Sequence, residues 1–205
     1  MRQHQLYIGG QWRDGRAGRA TATSPGSGET FAQVAVADPA DVDDAVAAAA
    51  AAGAEWAGSS PFQRAGWCDA VEAGIGRRRD ELARALTEDQ GKPLRAEAFD
   101  EVDELAGYFR MAGEDAKRNG GALPFSTSAE RRILTARVPL GVVAVVSPWN
   151  WPYTMGAEIF APAMAAGNTV VWVPAPSTIA CCAILAEVIA GALAEAGAQI
   201  GRAHV

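Results

Sequence analysis

The sequence has few of the residues that build metal sites and disulfide frameworks. Its 205 residues include three cysteines and two histidines. Cys181 and Cys182 are adjacent, and no cysteine pair has the Cys-x-x-Cys spacing that is typical of zinc sites. This pattern argues against a disulfide framework and favours a reducing compartment. We therefore predict no metal site.

Positive charge is also scarce, because 18 Lys and Arg residues face 24 Asp and Glu residues, for a formal net charge of −6. Nucleic acids and anionic membranes bind proteins that present a basic patch, so both are disfavoured as partners. The only basic run is 77–79, and acidic Asp80 and Glu81 follow it at once. We interpret this run as a solvated helix face.

No targeting or membrane segment is recognisable. The first residues, Met1 to Gln5, lead directly into a short strand without the basic and apolar regions of a signal peptide. The Ala-rich segment 45–54 is too short to span a bilayer and is interrupted at Gly53. These absences predict a cytoplasmic protein with no membrane association.

Two catalytic fingerprints are missing as well. There is no Gly-x-Gly-x-x-Gly, so the standard dinucleotide-binding motif is absent. Ser147 lacks the Gly-x-Ser-x-Gly elbow of a hydrolase nucleophile, and the one credible histidine, His4, lies close to the first residue. An unrelated α/β hydrolase is therefore a poor alternative.

What the sequence does contain is a strand, loop, helix and strand in succession. Residues 141–146 form a short β-branched apolar run, and Pro148 and Pro152 prevent its continuation. Pro152 suits the first turn of a helix that reaches about Ala166, and Gly167 is typical of its C-terminal stop. Residues 170–173 then form the next buried strand. This pattern predicts a βαβ unit and an α/β fold.

Asn150 lies in the loop at the end of the first of these strands. Open α/β sheets bind ligands beyond the carboxyl ends of their strands. An amide fixed between two prolines can donate a hydrogen bond to a developing oxyanion, a contribution of about 3–4 kcal/mol to a barrier. The alternative is an Asn that merely caps the following helix. The spacing by itself favours neither.

The rest of the chain divides into two regions. Residues 1–36 read as short strands and turns, and helices follow. Asp38 caps a helix that reaches about Ala57, and Ser60-Pro61 starts a second helix that reaches Gln90. Pro93 begins a third helix, which has an apolar stripe of Phe99, Val102, Leu105 and Phe109. We interpret five acids of this helix as its solvent-exposed face: Glu97, Asp100, Glu101, Asp103 and Glu104. We also predict a strand at residues 132–138.

Several segments together resemble the aldehyde dehydrogenase superfamily. The loop Ser147-Pro-Trp-Asn-Trp-Pro152 is similar to the family's Pro-Trp-Asn-(aromatic)-Pro element, and Ala165-Ala-Gly-Asn-Thr-Val-Val171 is similar to its Ala-Gly-Asn-x-Val-Val element. Flanking segments resemble the family in the same order. They are Leu6-Tyr-Ile-Gly-Gly-Gln-Trp12, Glu88-Asp-Gln-Gly-Lys-Pro93 and Arg137-Val-Pro-Leu-Gly-Val-Val143.

The resemblance implies a fold and a domain arrangement. It implies an aldehyde dehydrogenase-like fold, with the N-terminal part of a Rossmann-like parallel-sheet cofactor domain. Residues 1–130 would supply N-terminal strands and helices, and residues 140–199 the start of the NAD(P)-binding βαβ unit. Residues 131–139 would belong to a β-ribbon that the family uses in subunit association. We accordingly expect a homo-oligomer.

The resemblance also implies a cofactor site. The family binds NAD or NADP with strand-end backbone that matches Ser147, Pro148 and Trp149. A Lys-Pro-Ser-Glu-like segment follows the next strand, and its lysine contacts the adenosine ribose or a 2′-phosphate. The matching positions here begin with Val173 and Pro174. Val173 has no donor to offer, so the sequence favours NAD over NADP.

The implied reaction is oxidation of a small-molecule aldehyde to a carboxylic acid through a cysteine thiohemiacetal, with Asn150 as oxyanion donor. None of Cys68, Cys181 and Cys182 lies in the family's nucleophile motif, and we predict all three as buried core residues. The nucleophile cysteine and the general-base glutamate are expected beyond this chain. We therefore expect an N-terminal fragment that is inactive alone. The alternative is a non-catalytic nucleotide-binding or scaffold relic.

The last residues depart from the family's pattern. Family members continue from the helix end at Gly197 into a Pro-containing turn and another strand. Residues 200–205 read Ile-Gly-Arg-Ala-His-Val instead, and this hexapeptide resembles a translated sequencing-library adapter. We therefore expect residues 200–205 to be a non-native tail.

Overall fold

The computed structural model describes residues 1–198 and the backbone of a short strand at residues 203–204. The N-terminal region contains five strands: β1 (Arg2–His4), β2 (Leu6–Ile8), β3 (Gln11–Arg13), β4 (Arg19–Thr23) and β5 (Thr30–Ala35). Strand β5 pairs in parallel with β1 and antiparallel with β4. Strands β2 and β3 form a hairpin that turns through Gly9 and Gly10, both at positive φ. The predicted strand-rich start is confirmed.

Four helices follow: α1 (Pro39–Gly58), α2 (Pro61–Arg77), α3 (Arg79–Gln90) and α4 (Phe99–Ala116). Helix α1 begins with a capping box in which Asp38 and Asp41 bond each other's backbone N–H groups. Helix α2 begins in the same way with Ser60 and Gln63. A π-helical turn, Leu94–Ala98, leads into α4. The predicted starts of the first two helices are confirmed.

The predicted single helix from Pro61 to Gln90 is wrong, because the structure divides it at Arg78. The backbone of Arg78 leaves the helical region, with φ −109° and ψ 19°. Its side chain donates to Glu81 at 2.8 Å and forms an ion pair with Glu187 of the last helix at 3.6 Å. Both α2 and α3 pack on that last helix, on either side of the break in sequence.

The predicted strand at residues 132–138 is also wrong. Within the part of the chain that the structure describes, this stretch makes a single antiparallel bridge, between Ala122 and Thr135. A β-ribbon needs a partner strand along its length, and the described residues supply none. The stretch 119–140 instead lies on the surface and exposes several large apolar side chains: Leu123, Phe125, Leu134, Val138 and Leu140.

The third sheet contains the predicted βαβ unit. Strands β6 (Val142–Val146) and β7 (Thr169–Val173) pair in parallel, with helix α5 (Thr154–Ala165) between them in sequence. Val171 packs against α1, and Trp172 packs against Phe160 of α5. Because neighbouring strand residues point to opposite faces, α1 and α5 cover the two faces of this sheet. A two-residue strand, β8 (Ala203–His204), pairs in parallel with β7.

The last long helix, α6 (Ile179–Glu195), follows a 3₁₀ turn at Pro176–Thr178. The segment Pro176–Glu195 has the length and composition of a membrane span, with a mean hydropathy of 2.0, but 67% of its most apolar window is buried by the rest of the chain. Helix α6 packs against α2 and α3 and is therefore a core helix. Apart from the backbone of β8, the predicted non-native tail, 200–205, lies outside the described residues.

Candidate functional site

The predicted cofactor residues lie at the carboxyl ends of β6 and β7. Val146 and Val173 are partners in the register of the two strands. One residue further on, the backbone N–H of Ser147 donates to the carbonyl of Val173 at 3.2 Å. The fold therefore brings the loop 147–150 next to Val173 and Pro174. This is the edge at which parallel sheets bind ligands.

Ser147 itself is buried and already has hydrogen-bond partners. Its Oγ accepts from the indole Nε1 of Trp172 at 2.8 Å, and its N–H is held by Val173. Three apolar residues face solvent at this edge, because Val146, Trp149 and Val173 expose 74%, 61% and 45% of their surface. Ligand-binding sites are typically lined by apolar side chains of this kind, which can pack against a flat, partly apolar ligand such as a nucleotide.

Two clefts open beside these residues. Val173 and Pro174 line a mostly apolar cleft of about 280 Å³ between β5, α1, β7 and α6. Trp149 lines a second cleft of about 620 Å³, together with Asp89, Gln90 and Ser177. Pro176 lines both clefts, so the two open on either side of the turn after β7. No arginine or lysine lines either cleft among the described residues.

Asn150 is exposed, and it does not cap the following helix. Helix α5 starts at Thr154, with Tyr153 as its N-cap residue and no side-chain cap bond. The predicted start at Pro152 is thus two residues early, and the capping interpretation of Asn150 is wrong. Within residues 1–198, no hydrogen bond involves the Asn150 side-chain amide. The amide is therefore available to a ligand.

The backbone around Asn150, in contrast, is held by hydrogen bonds from the side chains of Gln90 and Lys92. Gln90 Nε2 donates to the carbonyls of Trp149 and Asn150 at 2.7 and 2.8 Å. Lys92 Nζ donates to the Asn150 carbonyl at 3.2 Å and lies 3.8 Å from the centre of the Trp151 ring. Sequence reasoning placed Lys92 in a family-like segment and gave it no role.

The prediction that all five acids line a solvent-exposed face of the helix is wrong for Glu101. Glu101 is fully buried, whereas Glu97, Asp100, Asp103 and Glu104 are exposed as predicted. The signal was present in the sequence, because Glu101 falls within the stripe of Ala98, Val102 and Leu105 at helical spacing. An acid inside an apolar stripe needs a buried partner.

The partner of Glu101 is Lys92, whose Nζ lies 2.5 Å from Glu101 Oε2. The other carboxylate oxygen accepts from the backbone N–H groups of Tyr153 and Thr154, at 2.9 and 3.4 Å. Burial raises the pKa of Glu101, and the Lys92 ammonium and these N–H groups oppose the rise. Glu101 thus supplies the cap that the first turn of α5 lacks.

The three cysteines are buried, as predicted, and none is built as a nucleophile. Burial raises the pKa of Cys68 to about 12 and that of Cys181 well above its ordinary value. The N–H of Cys181, in the first turn of α6, donates to buried Asp89 at 2.8 Å. The Asp89 carboxylate thus caps the N-terminal end of α6. Within the described residues no group of three or more His, Cys, Asp or Glu side chains could hold a metal ion.

The groups at this site limit the chemistry that it can perform. It presents one free amide donor beside an apolar rim at the end of a parallel sheet, and its three thiols are buried. An amide donor in such a place can stabilise negative charge that develops on a substrate oxygen.

Residues 12–199 match the Aldehyde dehydrogenase family. Phenylacetaldehyde dehydrogenase of Pseudomonas fluorescens is 38% identical over 207 residues, which is 95% of this chain and 40% of that protein. D-glyceraldehyde dehydrogenase (NADP(+)) of Thermoplasma acidophilum is 34% identical over 175 residues, 85% of this chain and 35% of that protein.

Solved structures agree. The crystal structure of PnpE in complex with nicotinamide adenine dinucleotide superimposes with a TM-score of 0.91 at 32% identity and covers 99% of this chain and 41% of that one. The chain thus spans about two fifths of the length of the proteins that it matches.

Proposed function

The chain belongs to the aldehyde dehydrogenase family, and we propose that it supplies the oxyanion donor and one side of the dinucleotide site to an NAD(P)-dependent enzyme that oxidises an aldehyde to a carboxylic acid. The observation that carries this proposal is the free Asn150 amide, whose backbone is anchored while its side chain has no partner within residues 1–198.

In the proposed reaction a thiolate attacks the aldehyde carbon, a C–S bond forms, and the carbonyl π electrons move to oxygen. The amide of Asn150 donates a hydrogen bond to that oxyanion and lowers the barrier. A dinucleotide held at Ser147, Pro148, Trp149, Val173 and Pro174 would supply the acceptor for the hydride on that carbon, and loss of the hydride re-forms the carbonyl as a thioester. Water then cleaves the thioester and releases the carboxylic acid.

The residues described here do not supply the nucleophile. Cys68, Cys181 and Cys182 are buried, and burial raises the pKa of Cys68 and Cys181. We therefore propose that the thiolate and the general base lie in other residues, and that the 205-residue chain alone is inactive. A non-catalytic nucleotide-binding role is the second candidate, because these same buried thiols leave the chain without a nucleophile.

The residues at the strand ends fit a dinucleotide. The exposed apolar rim of Val146, Trp149 and Val173 would lie against it, with Pro148 and Pro174 on either side. We propose a preference for NAD, because Val173 has no donor and no arginine or lysine lines the adjacent cleft among the described residues. A 2′-phosphate would find no cation there. Val173→Lys is expected to raise kcat/KM for NADP relative to NAD.

We further propose a cytoplasmic homo-oligomer. The free, buried cysteines are consistent with a reducing compartment. The exposed side chains of Leu123, Phe125 and Leu134 are candidates for burial against a second copy. Analytical ultracentrifugation of the wild type and of Phe125→Ser would test this, and a wild-type monomer at micromolar concentration would contradict it.

The deciding experiment is to express the complete reading frame and follow NADH formation with a panel of aldehydes. Asn150→Ala is expected to lower kcat about 10²- to 10³-fold, as loss of one oxyanion donor does in other enzymes. Asn119→Ala, in an exposed loop, is the matched control and should leave kcat within twofold. Equal kcat for Asn150→Ala and the wild type would overturn the oxyanion role. Nucleotide binding without turnover of any aldehyde would favour the second candidate.

A further inference from the structure

Three side chains hold the loop that carries Asn150, and they come from a different part of the chain. Gln90 ends α3, Lys92 follows it, and Glu101 lies in the first turn of α4. We refer to Gln90, Lys92 and Glu101 as the loop clamp. Lys92 and Glu101 are almost completely inaccessible, with side-chain exposures of 4% and 0%.

The loop clamp contacts the loop on both sides of Trp151. On the N-terminal side, Gln90 and Lys92 both donate to the Asn150 carbonyl, at 2.8 and 3.2 Å. On the C-terminal side, Glu101 accepts from the N–H groups of Tyr153 and Thr154. Lys92 and Glu101 are themselves paired at 2.5 Å. One buried ion pair thus joins the Asn150 peptide to the start of α5.

Stability alone gives a weak reason for this arrangement. A buried ion pair loses about as much in desolvation as it gains in attraction, and an apolar pair of similar volume is often as stable. The pair instead fixes an orientation. The hydrogen bond from Lys92 to the Asn150 carbonyl fixes the plane of the peptide that follows Asn150. That plane in turn limits where the Asn150 side chain points.

We propose that Gln90, Lys92 and Glu101 are positioning residues, which hold the backbone of Asn150 so that its amide meets the oxyanion. The inference rests on the proposed function of Asn150. Within residues 1–198, none of the three forms a hydrogen bond with the Asn150 side chain, and Gln90 and Lys92 bond its backbone carbonyl, so we infer that they act through the backbone. Because a displacement of about 1 Å can cost about 10²-fold in rate, a released loop would lose turnover even in a folded protein.

The test is a double-mutant cycle in the complete protein. The clamp variant is Lys92→Met with Glu101→Gln, which removes both charges together and keeps an oxygen for the N–H groups of Tyr153 and Thr154. It is compared with the wild type, with Asn150→Ala, and with all three changes combined. The matched control is Lys117→Met with Glu114→Gln, an exposed ion pair of 3.0 Å at the end of α4.

If the loop clamp acts through Asn150, the clamp variant lowers kcat at least tenfold when Asn150 is present and less than threefold in the Asn150→Ala background. The control pair leaves kcat within twofold in both. Equal losses in the two backgrounds would overturn the inference, because a merely structural role does not depend on Asn150. Where thermal melting shows that the clamp variant does not fold, Gln90→Met serves in its place in the same cycle, and the same comparison decides.

Failure of the proposed function gives a different result. If Asn150→Ala alone leaves kcat unchanged, Asn150 is not the oxyanion donor and the premise falls. If Asn150→Ala lowers kcat as expected but the clamp variant does not, the oxyanion role stands and only the positioning inference is overturned.

Discussion

The indole Nε1 of Trp172 donates a 2.8 Å hydrogen bond to the hydroxyl of Ser147, and both residues are buried. Ser147 follows β6 and Trp172 lies in β7, so this bond joins the carboxyl ends of the two strands. The Ser147 hydroxyl therefore holds the sheet edge together, whereas the sequence prediction concerned the backbone of Ser147 at the cofactor site. A nucleotide bound here would meet the exposed surface of Val146 and Val173.

Ser147→Ala is expected to destabilise the fold by about 1–3 kcal/mol, because the buried Trp172 N–H would lose its acceptor. Urea unfolding followed by circular dichroism measures the change. The control is Ser177→Ala, whose hydroxyl is exposed in the neighbouring turn. An equal, small effect for both variants would show that water replaces the Ser147 hydroxyl.

Glu101→Ala should be among the most damaging substitutions of an acid in this chain. It leaves Lys92 buried without its counter-ion and removes the acceptor of two N–H groups at the start of α5. We expect a loss of about 3–5 kcal/mol in the free energy of unfolding. Glu104→Ala, exposed on the same helix, should change it by less than about 0.5 kcal/mol. Similar values for the two would contradict the buried pair.

Gly167 ends α5 at φ +94°, and a Cβ at this position would lie 2.8 Å from Cγ of Pro139. Gly167→Ala combines backbone strain with a steric clash, and we expect it to cost about 1–3 kcal/mol. Gly191→Ala is the matched control, since Gly191 lies inside α6 with open space around it. That change should stabilise the helix by about 0.5–1 kcal/mol. Thermal melts of the two variants should therefore shift in opposite directions.

Asp41 should make the fold sensitive to acid. The backbone N–H of Arg16 donates to its carboxylate at 2.8 Å, and this bond, with further help from the Asp38 N–H and from Arg16 and Arg13, lowers the pKa of Asp41 below its ordinary value of 3.8. A carboxylate with a lowered pKa stabilises the fold above its unfolded pKa, and the contribution is lost as the pH falls through the folded pKa.

Asp41→Asn should consequently lower Tm at pH 7, and the difference from the wild type should shrink as the pH falls below 3.8. Melts across this range give the measurement, with Asp43→Asn, an exposed neighbour, as control. A Tm difference that is constant with pH would show that the charge of Asp41 is not what stabilises the fold.

The native chain should be inert towards thiol reagents. Burial raises the pKa of Cys68 to about 12, and Cys181 and Cys182 are completely buried. Only the thiolate reacts, so we expect no rapid reaction with Ellman's reagent at pH 8 and the release of three equivalents after unfolding in guanidinium. One rapidly reacting thiol in the native chain would contradict their burial and would reopen the question of a nucleophile within it.

The sequence by itself determined the elements whose signals are local. The capping box of Asp38 and Asp41 lies within four residues, and the glycine stop at Gly167 lies two residues after the helix that it ends. The apolar runs of β6 and β7, with one helix between them, predict a parallel βαβ unit because a crossover of that length brings the second strand back beside the first. Asn150 could be placed at the sheet edge for the same reason.

The tertiary structure alone decided which polar groups become buried partners. Lys92 and Glu101 are nine residues apart, on two sides of a π-helical turn, and no pattern within either segment shows that their charges meet under the loop of Asn150. The break at Arg78 depends in part on Glu187, more than a hundred residues away in sequence. Contacts of this kind arise when helices pack, because burial forces each charge to find whichever opposite charge the fold has brought within reach.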